Sequence, residues 1–79
     1  MRPRAIEVRP LSDYKLIVTF GNNEKRVFDV EPYMSLKPFE NLKNKKLFDT
    51  VHVAGLSVEW LTGQDLCPDE LYYNSIPLE

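Results

Sequence analysis

The clearest feature of the chain is an alternation of apolar and polar residues that predicts a β-hairpin. Over residues 14–20 one face of a strand collects the apolar side chains of Tyr14, Leu16, Val18 and Phe20. Residues 21–24 contain Gly and Asn, which tolerate the positive φ of a turn, and a second strand begins directly after them. The pattern leaves open which residues of this second strand face inward, since that depends on the register.

Shorter patterns predict the remaining strands. Residues 5–9 alternate until Pro10 ends the run, which indicates a first strand. Residues 51–54 and 56–61 are two further strand candidates, with Gly55 as the turn residue between them. The sheet is therefore expected to have about five strands.

Proline and capping residues mark the helical pieces. Pro32 suits the first position of a short helical turn, and Asn44 is a typical cap for a helix over residues 45–50. Pro68 indicates the start of a helix whose early carboxylates complement the helix dipole. Together the elements predict an α+β fold, in which a small, mostly antiparallel sheet of about five strands carries two or three short helices on one face.

Length and composition limit the kinds of protein that the chain can represent. Its 79 residues suffice for a single domain with one core, over residues 1–79. No apolar run is long enough for a signal peptide or a membrane span, and the lone Cys67 cannot form an internal disulfide, so we expect a cytoplasmic protein. Leu78 and Glu79 are typical of a cloning scar and are left out of the interpretation.

Charge is distributed unevenly along the chain. All 10 Lys and Arg stand at or before Lys46, together with half of the 12 acidic residues, and the other half follow without a base. If folding preserves this division, the acidic segment forms a surface suited to a basic partner. If folding intermixes the two segments, the result is an ordinary hydrated surface.

Cys67 and His52 are the one pair of residues that could act as nucleophile and base. A helix start favours the thiolate form of Cys67, but the acidic residues around it oppose that form. A catalytic pair also requires Cys67 and His52 to meet in the fold. We favour the alternative, a buried, inert thiol and an outward-facing strand histidine, and therefore interpret the chain as non-catalytic.

Metal, nucleotide and cofactor sites find no support in the sequence. One His, one Cys and scattered acids supply no closely spaced ligand pairs, and the three glycines stand too far apart for a phosphate-binding loop. We expect no cofactor and no metal. Asp65 is interpreted as a cap of the following helix, and Trp60 as the largest core residue rather than a binding anchor. Structural roles are assigned to Trp60, Gly63, Asp65, Pro68 and Leu71.

Lys43, Lys45 and Lys46 form the basic cluster of the chain, and contacts to phosphates need such clusters. Phe39 and Phe48 beside them fit helix packing better than base stacking, and the pI of about 5.4 is not basic. Nucleic-acid binding through the three lysines is therefore an alternative, and a hydrated helix face is the favoured interpretation.

The closing segment has a specific pattern, Trp60-x-x-Gly63-x-Asp65-x-x-Pro68-x-x-Leu71-Tyr72. With this pattern and the strands before it, the chain resembles the bacterial family called domain of unknown function 2442 over nearly its whole length. The resemblance implies a small α+β sheet domain and no established activity. Members often lie beside genes of another small family, in an arrangement like that of a toxin and its antitoxin. Some longer relatives add a helix-turn-helix domain, and this chain ends before such an extension.

These observations favour a protein-interaction or accessory module, antitoxin-like, that binds a small partner protein such as the product of an adjacent gene. The expected contact is an exposed sheet edge or the acidic C-terminal segment. In that segment the electrostatic contacts and aromatic anchors would be Asp65, Asp69, Glu70, Tyr72 and Tyr73. Homodimerisation through an edge strand is a variant of the same hypothesis.

Overall fold

A computed structural model describes residues 2–78, which fold into two antiparallel sheets and several short helices. The strands are β1 (Ala5–Pro10), β2 (Lys15–Phe20), β3 (Lys25–Asp29), β4 (His52–Ala54), β5 (Ser57–Glu59) and β6 (Ile76–Pro77). The helices are α1 (Lys45–Phe48), α2 (Pro68–Tyr73) and two 3-10 segments, Glu31–Ser35 and Lys37–Lys43. The larger sheet has the order β1-β2-β3-β6, and β4 pairs with β5. The predicted α+β class and antiparallel pairing are confirmed, although the strands divide between two sheets.

The hairpin of β2 and β3 is the one that the alternation predicts. In its turn Asn23 has a φ of 72°, a conformation that Asn tolerates better than most residues. Leu16 of β2 lies opposite Phe28 of β3, and both are buried, which settles the face that the sequence left open. Tyr14, which we expected within the strand, precedes it with a φ of 63°, because the chain turns there before the ladder begins. Its ring packs edge-on against Phe48 instead.

One face of the larger sheet, the helices and the smaller sheet enclose a common cluster of buried side chains. The largest members of this cluster are Trp60, Phe20, Phe28 and Phe48. Trp60 is fully buried, as predicted, and its indole nitrogen donates a hydrogen bond to the backbone oxygen of Phe48 at 2.8 Å. This bond matters because a buried indole N–H without a partner would be costly. The opposite face of the larger sheet is open to solvent, since its side chains are half-buried or exposed.

The helix starts agree with the sequence in all but one respect. The Asn44 side chain accepts a hydrogen bond from the Lys46 amide at 3.0 Å and caps α1 as predicted. Pro68 stands in the first turn of α2, also as predicted. The interpretation of Asp65 as the cap of α2 is wrong, because the N-cap position belongs to Cys67 and Asp65 lies two residues too early. Asp65 instead forms an isolated β-bridge with Glu59.

β6 is a two-residue strand that the pattern of the sequence does not reveal. It pairs with β3, where Ile76 lies opposite Val27, and the Leu78 amide adds a hydrogen bond to the Lys25 oxygen at 2.9 Å. Leu78 is therefore in contact with the sheet, while Glu79, the other residue of the expected cloning scar, lies outside the described residues. Within residues 2–78 no helix has both the length and the hydropathy needed to cross a membrane.

Candidate functional site

The acidic residues of the C-terminal segment take part in different contacts. An Asp69 carboxylate oxygen lies 2.9 Å from the Nε of Arg2, so the basic and acidic parts of the chain meet here. Glu70 accepts a hydrogen bond from the Tyr33 hydroxyl at 2.6 Å. Asp65 is exposed and lies outside α2. The division of charge along the sequence is therefore partly neutralised by folding.

The two adjacent tyrosines of α2 have different surroundings. The Tyr72 ring packs edge-on against Phe20, with 4.9 Å between ring centroids, and the Arg26 guanidinium lies 4.8 Å from the centre of the Tyr72 ring. The Tyr72 hydroxyl donates a hydrogen bond to Glu24. The Tyr73 side chain is mostly exposed. Of the two expected aromatic anchors, Tyr72 is thus held within the domain and Tyr73 remains open to solvent.

Glu70 lies at the rim of an open groove of 420 Å³ between the end of β3, the first 3-10 segment and α2. The groove is lined by Phe28, Asp29, Pro32, Tyr33, Leu36, Glu70 and Asn74. Its floor is the half-buried Tyr33 ring, which packs against the buried Phe28 ring with 5.5 Å between the centroids. Leu36 stands at the edge with 51% of its surface exposed, and its side chain extends the apolar lining of the groove.

The charge of this groove is negative. Glu70 and Asp29 are its two ionisable acids, and no Lys or Arg lines it. Lys15 lies opposite Asp29 in the sheet, but its ammonium is paired with Asp13, so both Glu70 and Asp29 contribute negative charge to the groove. Burial and the hydrogen bond to Glu70 raise the pKa of Tyr33, which keeps its hydroxyl protonated as a donor. The Tyr33 hydroxyl thereby fixes the position of the Glu70 carboxylate at the rim of the groove.

The sequence identifies Glu70 but not its neighbours in the groove. Tyr33 and Glu70 are 37 positions apart, and no local periodicity relates them. One sequence signal was available: Leu36 is an aliphatic residue between Pro32 and Pro38, in a stretch without strand alternation. An apolar residue in such a turn-rich stretch often lies at the surface.

A family model described as "Protein of unknown function (DUF2442)" matches residues 5–77. The chain belongs to this family. The resemblance inferred from the closing Trp60 to Tyr72 pattern is therefore confirmed, and the match spans the DUF2442 domain from the first residue of β1 to the last of β6. No curated protein and no solved structure matches the chain.

Cys67 and His52 do not form a catalytic pair in the described part of this DUF2442 domain. His52 is exposed, as expected, and its ring nitrogens face the Thr50 oxygen at 3.1 Å and a Glu59 carboxylate oxygen at 3.6 Å. Cys67 is exposed, so the expectation of a buried thiol is wrong. Its position as N-cap of α2 directs the backbone into the helix and leaves the side chain at the surface. Residues 2–78 contain no group of three or more His, Cys, Asp or Glu placed to hold a metal ion.

The lysine cluster of the DUF2442 domain is partly occupied by internal contacts. Lys45 forms an ion pair with Asp49 one turn along the chain, and its ammonium lies 5.1 Å from the centre of the Phe48 ring. Lys43 and Lys46 are exposed. Phe48 is fully buried, so it has no face available for stacking a base.

The two edges of the larger sheet of the DUF2442 domain have different surroundings. β1 lies beside β4, and the Ala5 amide donates to the Leu56 oxygen at 3.2 Å. On the other side β6 is only two residues long, and its Pro77 has no N–H to offer. A partner strand would therefore find few free backbone groups along β6.

Proposed function

We propose that this domain is a non-catalytic protein-binding module of the cytoplasm, whose groove takes a partner segment with an apolar side chain beside a Lys or Arg. The observation that carries the proposal is the Glu70 carboxylate, held by the Tyr33 hydroxyl at the rim of an apolar groove. Such an arrangement supplies one fixed charge next to a surface that gains from burial. We expect it to recognise a side-chain pair rather than to break bonds, because no Ser, Cys, Thr, Lys or His lines the groove.

The apolar part of the groove supplies binding free energy. Burying one Leu-sized side chain against Tyr33 and Leu36 contributes about 2 kcal/mol at the usual value per unit of apolar area. Association also costs translational, rotational and side-chain freedom, so a single short segment binds weakly. A partner protein that holds the segment in a fixed conformation binds more tightly, because less freedom is lost.

The charge of the groove selects the partner. A Lys or Arg side chain can lay its aliphatic stem on Leu36 while its charged head pairs with Glu70. An acidic segment would place like charges next to each other, which costs free energy and excludes it. The proposed partner is a small protein with a basic, apolar segment, in keeping with an antitoxin-like accessory role.

The experiment uses peptides displayed at random on phage and selected against the immobilised domain. Selected peptides are expected to combine Lys or Arg with an apolar residue, and the domain's amide NMR signals should shift for Phe28, Tyr33 and Leu36 when they bind. Glu70→Gln keeps an acceptor for Tyr33 and removes the charge, so it should weaken binding about tenfold. Asp69→Asn is the matched control, because Asp69 is adjacent in the chain but does not line the groove.

Selected peptides that are acidic, or that shift signals elsewhere, would contradict the proposal. An equal effect of Glu70→Gln and Asp69→Asn would show that total charge matters and the groove does not.

Nucleic-acid binding through Lys43, Lys45 and Lys46 remains a prediction from the sequence. This alternative predicts that a labelled single-stranded oligonucleotide binds the domain, with an affinity that falls steeply as the salt concentration rises.

A further inference from the structure

The solvent-facing side of the larger sheet has an ordered arrangement of charged and apolar residues. The register places Glu7 of β1 opposite Thr19 of β2, and Thr19 opposite Lys25 of β3. In the next row along the strands, Ile17 of β2 lies between Arg9 and Val27. Because neighbours in a row share a face of the sheet, the Thr19 row has an acid on the β1 side of β2 and a base on the β3 side, while Arg9 adds a base on the β1 side in the Ile17 row.

This opposition of charge across β2 makes the face complementary to itself. A two-fold axis running along β2 exchanges the β1 side of one copy with the β3 side of a facing copy. Glu7 of each copy then meets Lys25 of the other, which gives two ion pairs related by symmetry. Ile17, on the axis, meets the Ile17 of the second copy and forms the apolar centre of the contact.

We propose that two copies of this chain associate face to face through this side of the sheet. The face contains a depression of 240 Å³ lined by Glu7, Arg9, Ile17, Thr19, Lys25 and Leu78. Leu78 lines the depression on the β3 side. The two-fold rotation places the Leu78 of the second copy beside β1. The depression is thereby closed from both sides in the dimer.

In the facing copy Arg9 meets Val27, and Lys15, near the axis, meets a like charge. Its ammonium nitrogen lies 3.0 Å from an Asp13 carboxylate oxygen in the same chain, so much of its charge is already compensated. The groove at Glu70 meets this face only at Asp29, which lies beside Lys15 at the end of β3, and the rest of its lining lies away from the face. A dimer can therefore form while the groove remains open, and the inference does not depend on the function proposed above.

The size of the face determines how tight the dimer can be. Three to four strands about 4.8 Å apart and about five residues long cover roughly 300 Å² of flat sheet. A standard stable interface buries about 800 Å² on each partner. The dimer is therefore weak and reversible, and its population depends on protein concentration.

Sedimentation equilibrium over a series of protein concentrations tests the proposal. The wild-type chain is expected to change from monomer to dimer as its concentration rises. Ile17→Lys places two like charges at the axis and should raise the dissociation constant of the dimer about tenfold or more. Leu61→Lys is the matched control, because Leu61 is 74% exposed and lies outside the larger sheet, and it should leave the dissociation constant unchanged.

Exchanging the charges of Glu7 and Lys25, which are both exposed, tests the direction of the two-fold axis. Glu7→Lys and Lys25→Glu should each weaken the dimer at low salt, and the double variant should restore it. A wild-type chain that stays monomeric at every concentration overturns the proposal. So does a folded Ile17→Lys variant, with native circular dichroism, that dimerises like the wild type. Failure of the double variant to recover what the single variants lose would overturn the pairing of Glu7 with Lys25.

Discussion

The indole nitrogen of Trp60 and the backbone oxygen of Phe48 are joined by a buried hydrogen bond of 2.8 Å, and the two rings lie 6.0 Å apart. The bond links the strand β5 region to the end of α1, two elements that are too short to be stable alone. Each is held in place because both side chains are fully buried in the common core.

Replacing Trp60 by Phe should strongly destabilise the domain. The change leaves the Phe48 oxygen without its donor and opens a cavity the size of the lost ring, so the free energy of unfolding should fall by about 2 to 4 kcal/mol. Urea denaturation followed by circular dichroism measures it. Leu61→Ala, at an exposed neighbour, should change this free energy by less than about 0.5 kcal/mol. Similar losses in the two variants would refute the role of Trp60.

Gly63→Ala should be costly because of backbone conformation rather than lack of space. Gly63 has a φ of 102°, which side-chain-bearing residues rarely adopt, although no atom lies within 4 Å of an added Cβ. The expected loss is about 1 to 3 kcal/mol in the free energy of unfolding. Gly21→Ala is the control, since its φ is not in the positive region and the nearest atom to an added Cβ is the Arg4 oxygen at 3.7 Å. The prediction would be contradicted if Gly63→Ala and Gly21→Ala both left the free energy of unfolding at the wild-type value.

The hydrogen bond from Tyr72 to Glu24 should make stability depend on pH. It lowers the pKa of Glu24 below its ordinary value of 4.5 and raises the pKa of Tyr72 above 10.0. A lowered pKa gives stability that is present above the unfolded value and lost as pH falls through the folded one, and a raised pKa gives stability that is lost at high pH. Tyr72→Phe should therefore destabilise the domain most between about pH 5 and 10, and less at either extreme.

Urea denaturation of the wild type and of Tyr72→Phe across this pH range measures the difference. Tyr73→Phe provides the comparison, because the Tyr73 side chain is 63% exposed and its hydroxyl has no hydrogen bond within residues 2–78. A Tyr72→Phe deficit that stays constant down to strongly acidic pH would show that Glu24 does not take part.

Cys67 should react with alkylating reagents in the native state. The side chain is exposed, so labelling should not require unfolding, and its rate should be unchanged by His52→Ala because His52 contacts Thr50 and Glu59. Mass spectrometry of the labelled chain at neutral pH, with and without urea, gives the two rates. A rate that depends on His52, or labelling only after unfolding, would contradict the described geometry.

Local features of this fold could be predicted from the sequence because their causes are local. The hairpin, the turn at Gly55 and the helix starts at Asn44 and Pro68 each depend on residues within a few positions of one another. The resemblance to the family is also readable from the sequence, because the closing pattern from Trp60 to Tyr72 is contiguous, and the match over residues 5–77 confirms it. Asp65 shows the limit, since a carboxylate near a helix start has the right chemistry for a cap but lies two residues from the required position.

Features that depend on contacts distant in sequence could not be predicted. β6 exists only because Ile76 lies against Val27, and two residues carry no periodicity. The groove requires Tyr33 to meet Glu70, and the exposed position of Cys67 depends on which neighbouring residue becomes the N-cap. The basic and acidic parts of the chain likewise meet in the ion pair of Arg2 and Asp69, whose positions are almost the whole sequence apart.

The way in which the larger sheet ends has a consequence for the protein at high concentration. A register shift between Ala5 and Glu7 distorts one border strand, and the other stops at a proline after two residues. Borders of this kind are poor templates for the strand-by-strand growth that leads to fibrils. We therefore expect the chain to remain a discrete particle at high concentration even though one face of the sheet is open to solvent.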